Sequence, residues 1–427
     1  MNRKYHNSEK GQAIVYLVLG LVVFLGFVAL AVDGGMALAD RRHSQNLADA
    51  SSLAGGGKAA TILGQVGCPA VFTCNDTTLF NAEQYAIDRA FDNNGYVIDR
   101  DLSDHNGVDA TCVNDSTGHY IDVTVEISNT TPSNFLQLIY PDALHNEVEA
   151  VTRVYPGGPL TFGNAITALN PAECNSNDVS FEGVTVGGAG TVHVTDGDIF
   201  SNGCIRQNSS VDVDIVDPYK ALGHYFKPDP LEWAESTTEF IPPSDYRINP
   251  PDCTANGGAF LKTGDQFKDL MKKGPLDPGL YCITGDVKIT QGNGLSGYGV
   301  TIAMLDGFFD VQGSPEIHLL APGVPIPPDN TEKTPIVSPA IEGLLIYMAP
   351  SNLNNVTLAG NSDSYFSGLI YAPNPDTTTK LSGTGQNIYQ NSQVIAWNIT
   401  IEGTADLWVH YYGCNGYISK PSLDLHK

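Results

Sequence analysis

From Ala13 to Val32 the chain runs through 20 residues without a charge. As a helix rising about 1.5 Å per residue this covers about 30 Å, the depth of one bilayer crossing. Beyond it, "MALADRRHSQNLADASSLAG" keeps a helical period, with Met36, Ala39, Leu47, Ala50 and Ala54 recurring at three- and four-residue steps. The membrane helix is therefore expected to continue outward as a rod that Gly55, Gly56 and Gly57 bring to an end. Residues 64–155 then read as a small α/β domain. A helix starts at Asn81, a strand at Tyr120 alternates Ile121, Val123, Val125 and Ile127, a helical turn falls near "SNFLQLIY", and a strand ends at Tyr155.

After a linker, "PGGPLTFGN" over 156–164, the pattern changes to short apolar runs separated by turn residues. "IYMAPSNLNNVTLAGN" from Ile346 aligns with "IYAPNPDTTTKLSGTG" from Ile370, and "IAWNITIEGTA" from Ile395 continues the series. Gly313, Gly360, Gly383 and Gly403 close successive runs at separations of 47, 23 and 20 residues. Repeats of this length, built of strands and turns with no helix between, are those of a β-solenoid, in which one turn cannot bury its own face and stacking supplies the core. Short strands at such spacing also suit a β-sandwich, the alternative architecture. The expected class is mainly β: cytoplasmic lead, transmembrane helix and stalk over 1–63, an α/β domain over 64–155, the linker, a parallel β-helix-like domain over 165–418, and a tail over 419–427. The segments Ala321 to Gly343 and from His224 to Asp252, rich in proline, are expected as excursions between turns of the solenoid.

The charges flanking the apolar span orient it. Arg3, Lys4 and Lys10 precede it against Glu9 alone, whereas Arg41 and Arg42 beyond it are diluted by Asp33, Asp40 and Asp49. The positive-inside bias puts the N-terminus in the cytoplasm and the bulk outside. A secretory signal has a shorter apolar region, about 7–15 residues, so the span is expected to be retained. The formal charge of −25, with no basic patch, excludes nucleic acid as a partner. All eight cysteines, Cys68, Cys74, Cys112, Cys174, Cys204, Cys253, Cys282 and Cys414, lie beyond the membrane segment, as disulfides formed in an oxidising compartment require. Three fall in 64–155 and five in the remainder, so complete pairing needs a bridge between the two regions.

Gly11 to Gly56 resembles the N-terminal region of TadE/TadG-like proteins of the tight-adherence (Flp) pilus assembly system. The shared features are the short basic lead ending in Gly-Gln, the apolar helix closing on "AVDGG", and the run "LADRRHSQNLADASSLAGG". The resemblance implies a single-pass protein of the bacterial cell membrane that serves a pilus or secretion machine, with a helix that bundles as pilins bundle theirs; the helix-then-strands order of 64–155 is compatible with a pilin-like head, as with any α+β domain. Related pilin-like members are cut by a prepilin peptidase after the glycine, here between Gly11 and Gln12. The glutamate those substrates carry five residues into the mature chain is replaced by Tyr16. The resemblance stops near residue 60.

Small residues allow close helix contact, so Gly20, Gly26, Ala39, Ala50 and Ala54 are candidates for helix packing, against the chain's own domain or through self-association. "GNGLSG" from Gly292 to Gly297 matches GxGxxG, but a strand follows where a dinucleotide site needs a helix, so it reads as a turn. Asp196, Asp198, Asp212 and Asp214 offer hard oxygen ligands for Ca²⁺ but lack a known register, and the preferred reading is a solvated acidic edge, since alternating carboxylates on an exposed strand guard against edge pairing. Tyr347 and Tyr371 occupy equivalent repeat positions and are expected to stack in the core, with sugar stacking as the alternative. No nucleophile elbow, phosphate loop or paired catalytic carboxylates appear, and no cofactor is expected. The expected function is non-enzymatic: a surface-exposed, pilus-associated or pilin-like protein presenting a rigid β-rich ectodomain for structure or adhesion, with surface glycans as candidate ligands. A membrane-tethered polysaccharide-active β-helix enzyme is the alternative.

Overall fold

In the computed structural model, helix α1 runs unbroken from Gln12 to Leu63. The structure describes residues 12–63, 75–115, 118–135, 143–157, 160, 163–174, 183–216, 218–228, 230–246, 248–254, 258–290, 292, 294–327, 331–383, 388–404, 406–411 and 416–426. The chain divides into two units, residues 1–157 with 420–427, and residues 158–419.

In the first unit, α1 meets two environments. From Ile14 to Val32 it is exposed except at Ala29, and no residue of the apolar window is buried. Its second half packs on helix α2 (Asp76–Asn94) and on an antiparallel sheet of strands β1 (Gly107–Asp115), β2 (Gly118–Thr131) and β3 (Leu144–Tyr155). The buried face of α1 is Ser44, Leu47, Ala48, Ser51, Ser52, Gly55, Gly56, Ala59 and Leu63, spaced at the helical period. It meets Ile121, Val123, Val125 and Ile127, all fully buried, and the alanines of α2 at Ala82, Ala86 and Ala90. Asn75 caps α2 by accepting from the Thr78 amide at 2.7 Å, and Gly95, in the left-handed region, ends it.

The three glycines do not end α1. A Cβ on Gly55 would lie 2.8 Å from the Ala82 carbonyl oxygen, and one on Gly56 2.5 Å from Cγ2 of Thr152. Here glycine lets the helix backbone approach α2 and the sheet, and the packing compensates for its low helix propensity. Beside them Thr152 Oγ1 donates to Ser52 Oγ at 2.9 Å in the buried interface. Strand β1 had no sequence signal. Residues 133–135 are not helical, and the rest of the expected turn at "SNFLQLIY" lies outside the described residues. Residues 419–427, expected as a tail, include the strand Ser422–Leu425, which pairs antiparallel with β3.

The second unit is mainly β, and all its ladders between strands are parallel. Its pairings fall into three rows. The first runs, in spatial order, Ala234–Ser236, Ala221–Gly223, Asp198–Ser201, Asn164–Ala168, Ile388–Ala396, Tyr365–Ala372, Leu344–Met348, Val300–Met304, Gly279–Thr284 and Phe260–Thr263. The second runs Tyr225–Lys227, Cys204–Gln207, Val184–Val186, Asn398–Gly403, Thr378–Gly383, Val356–Leu358, Phe309–Val311 and Val287–Ile289. The third joins Leu295–Tyr298, Ile317–Leu320, the first halves of Tyr365–Ala372 and Ile388–Ala396, then Leu407–His410, Thr191–Thr195 and Asp212–Ile215. The segment after His224, expected as an excursion, supplies two of these strands. Ile346 and Tyr347 lie opposite Ile370 and Tyr371 as aligned, but Val394, not Ile395, lies opposite Ile370. That one-residue difference puts Ile395 on the other face.

The spatial order differs from the chain order. The chain enters mid-row at Asn164–Ala168 and moves away to Ala234–Ser236. It reappears at the opposite end at Phe260–Thr263 and works back until Val394 meets Ile166, Ile399 meets Val184 and Leu407 meets Val192. Residues 237–259 make the crossing. From Asn202, whose side chain exchanges two hydrogen bonds with the backbone of Ile241, the segment reaches the Cys253–Cys282 disulfide. Six strand steps separate Asp198–Ser201 from Gly279–Thr284, about 29 Å at about 4.8 Å each, against a reach of about 40 Å for twelve extended residues.

This crossing explains the unbroken apolar runs. In the first row Ile302, Met304, Ile346, Met348, Ile370 and Val394 face one core, and Ala303, Tyr347, Tyr371 and Ile395 face a second core shared with Ile241, Tyr246 and Ile248 of the crossing segment. Strands covered on both faces lose polar alternation, as in the wholly buried "VTIAM" and "LLIYM".

The glycines supply a test. Gly57 meets nothing within 4 Å, so Gly57→Ala is expected to stabilise the first unit by up to about 1 kcal/mol. Gly56→Ala is expected to destabilise it by about 1–3 kcal/mol through overpacking, despite the better helix propensity. Denaturant unfolding of the full chain in detergent distinguishes the two signs.

Candidate functional site

The stretch with most functional content is α1 from Gln12 to Gly56. Gly11 lies outside the described residues, and Gln12 is the first residue of the helix. Gly20 and Gly26 have nothing within 4 Å. Ala39 is exposed, and Ala50 and Ala54 are half-buried, so the small residues singled out from sequence lie to one side of the face that packs on the sheet. Leu38 and Leu53 are also exposed, at 62% and 41%.

The first charge after the apolar span does something the sequence did not announce. Asp33 is 1% exposed, and its two carboxylate oxygens accept from the amides of Asn134 and Phe135, each at 3.0 Å. The Asn134 side chain lies 3.3 Å from Met36 Sδ, and Asn146 Nδ2 donates to the Ala37 carbonyl at 3.4 Å and to Thr131 Oγ1 at 3.1 Å. The connection leaving β2 and the start of β3 thus grip α1 where its apolar span ends. A lone acid beside two glycines at that border was the available signal.

In the second unit, a row of in-register positions runs Ser296, His318, Tyr365, Tyr389, Trp408, His193 and Asp214. His318 stacks on Tyr365 at 4.5 Å between centroids, and His193 on Trp408 at 4.0 Å. These rings turn their faces to one another, which suits cross-strand stabilisation. Tyr347 and Tyr371 also stack, at 5.8 Å, but inside the second core.

The four aspartates named as calcium candidates do not converge, and three of them have separate partners. Asp196 sits 3.0 Å from His410 Nε2, Asp198 accepts from the Lys220 amide, and Asp214 lies 3.0 Å from His193 Nδ1. Asp212 is exposed on Asp212–Ile215, a strand paired on one side only. Among the described residues no three His, Cys, Asp or Glu side chains gather as a metal site. Desolvation pushes the Asp198 carboxyl up, opposed by the Lys220 amide and charge. Burial likewise holds His410 below its ordinary 6.5, against the pull of Asp196.

The GxGxxG stretch borders a recess of about 540 Å³ lined by Gly292, Gly294, Lys268, Met271, Lys272 and Lys288. A strand, Leu295–Tyr298, follows inside the motif itself. Its three ammonium groups face carboxylates of their own at Asp265, Asp269 and Asp310.

Of the cysteines, Cys174 bonds Cys204 and Cys253 bonds Cys282. Cys112 is disulfide-bonded too, and Cys68, Cys74 and Cys414 lie outside the described residues.

Residues 11–60 match the family model of the putative Flp pilus-assembly TadE/G-like domain. No curated protein and no solved structure matches the chain. The match covers the apolar span, Asp33 and the packed glycines, and it associates this N-terminal region with the membrane and the pilus machinery.

His410 supplies a pH test. The unfolded chain takes up the proton at a higher pH than the folded one, so the stability gained from neutral His410 is complete above about pH 6.5 and declines as the pH falls below it. His410→Gln is expected to flatten that part of the pH dependence, read from thermal unfolding between about pH 7 and pH 5.

Proposed function

We propose that the protein is a non-enzymatic, pilus-associated or pilin-like component of the tight-adherence type, held in the bacterial cell membrane or assembled into surface filaments through α1. The observation that carries this reading is the TadE/G-like match over residues 11–60, coinciding with a helix whose apolar half is unburied and whose other half is built into a folded unit. The flanking charges favour a cytoplasmic N-terminus with both units outside. An α/β head on the far half of a long apolar helix supports the pilin-like description of the first unit. The three rows of parallel strands support a β-solenoid for the second unit, presenting a stiff surface for structure or adhesion, with glycans as candidate ligands and no resident cofactor.

The exposure of Leu38, Ala39 and Leu53, beside half-buried Ala50 and Ala54, leaves a stripe of α1 open to a neighbouring helix of the machinery or of a second copy. Replacing Ala50 and Ala54 by leucine is expected to deplete the protein from filaments sheared off the cell surface while its membrane fraction persists. Wild-type protein that stays in the membrane and never enters sheared filaments would reduce the reading to an assembly factor. Depolymerisation of surface glycans by the purified full chain would replace it with an enzymatic one.

A further inference from the structure

The grip on Asp33 has no role in either core. A carboxylate that is 1% exposed and satisfied by two backbone amides is a costly way to hold a loop. What it achieves is position. Asp33 follows directly on the 20-residue apolar span, so its side chain stands at the border between hydrocarbon and headgroups whenever that span crosses a bilayer. The amides of Asn134 and Phe135, bound to it at 3.0 Å, stand at the same level. The Asn134 side chain also reaches Met36, and Asn146, which donates to Thr131, holds the Ala37 carbonyl one helical turn further out. The end of the sheet where β2 leaves and β3 returns is therefore its membrane-proximal end. The side chain presented there is aromatic: Phe135 is 46% exposed, and Val32, the residue before Asp33 at the last turn of the span, is 40% exposed.

We propose that Phe135, pinned by Asp33, is a second membrane contact, seated in the interfacial region of the phospholipid bilayer so that the first unit rests on the membrane surface. Continuity argues for lipid as the occupant, because the residue shares its level with a helix segment that already meets lipid. Trp and Tyr are enriched at that depth, and Phe serves with Trp and Leu on the buried face of interfacial elements. The proposal rests on the membrane-anchor reading, and the test separates the two.

The full chain carrying Phe135→Trp is reconstituted, beside wild type, into phosphatidylcholine vesicles with and without bromine on the acyl chains. Flotation on a density gradient reports the anchor, and quenching of the emission added over the three native tryptophans reports the contact. The expected result is flotation of both proteins and bromolipid quenching of the added emission. In a Phe135→Trp, Asp33→Ala double variant that still floats and keeps its far-UV circular dichroism, that quenching is expected to fall. Flotation without quenching of the added emission would overturn the proposal and leave the anchor standing. An added emission that is unquenched but shifts to the blue as protein density in the vesicle rises would assign Phe135 to a second copy of the chain instead. Failure to float would remove the anchor and the proposal with it.

Discussion

The close approach of α1 to the sheet of the first unit is the constraint on which the N-terminal half depends. A helix that leaves hydrocarbon and enters a protein core must exchange bulky side chains for small ones where backbones meet, and this chain does so at Ser51, Ser52, Gly55 and Gly56. The cavity a larger side chain would need is already filled by Val123, Ala82 and Thr152. The same helix can therefore be apolar and unburied over one half and packed into a core over the other, without a break between them.

The second unit meets a different constraint. Its first row is apolar on both faces, and a parallel row of that kind is stable only when something covers the outer one. The covering comes from the chain itself, in the crossing of residues 237–259 that delivers the polypeptide to the far end of the row. Ile241, Tyr246 and Ile248 are buried there, and Asn202 and the Cys253–Cys282 bond fix the segment near its two ends. One stretch thus solves both a topological problem and a solvation problem.

Much of this was legible in the sequence. The alternation from Ile121 to Ile127 marked the buried face of β2, and the repeat from Ile346 to Ile370 gave the true register. What could not be read has physical causes. Strands spaced about 20 residues apart look the same whether the chain enters a row at its end or in its middle, because the pairing of Val394 with Ile166 leaves no local trace. Gly55 to Gly57 looked like a stop because low helix propensity is a local property, and close packing, which overrides it, is not. Asp33 looked like a boundary charge because its partners lie about a hundred residues on. Ala39, Ala50 and Ala54 lie to one side of the face that packs on the sheet, and the serines and glycines of that face, Ser44, Ser51, Ser52, Gly55 and Gly56, carry no apolar signal that a periodicity could detect.

The second unit is an insertion: the chain leaves the first unit after β3 and rejoins it at Ser422–Leu425, with Ser422 directly opposite Tyr155. Tension on the inserted unit would thus pull two neighbouring strands in the same direction. The hydrogen bonds between them would carry almost none of it. The load would pass to the ladder of β2 with β3, from Thr131 opposite Leu144 to Ile121 opposite Val154, which resists in shear with all its bonds at once. An attachment of this kind gives way only when that ladder shears.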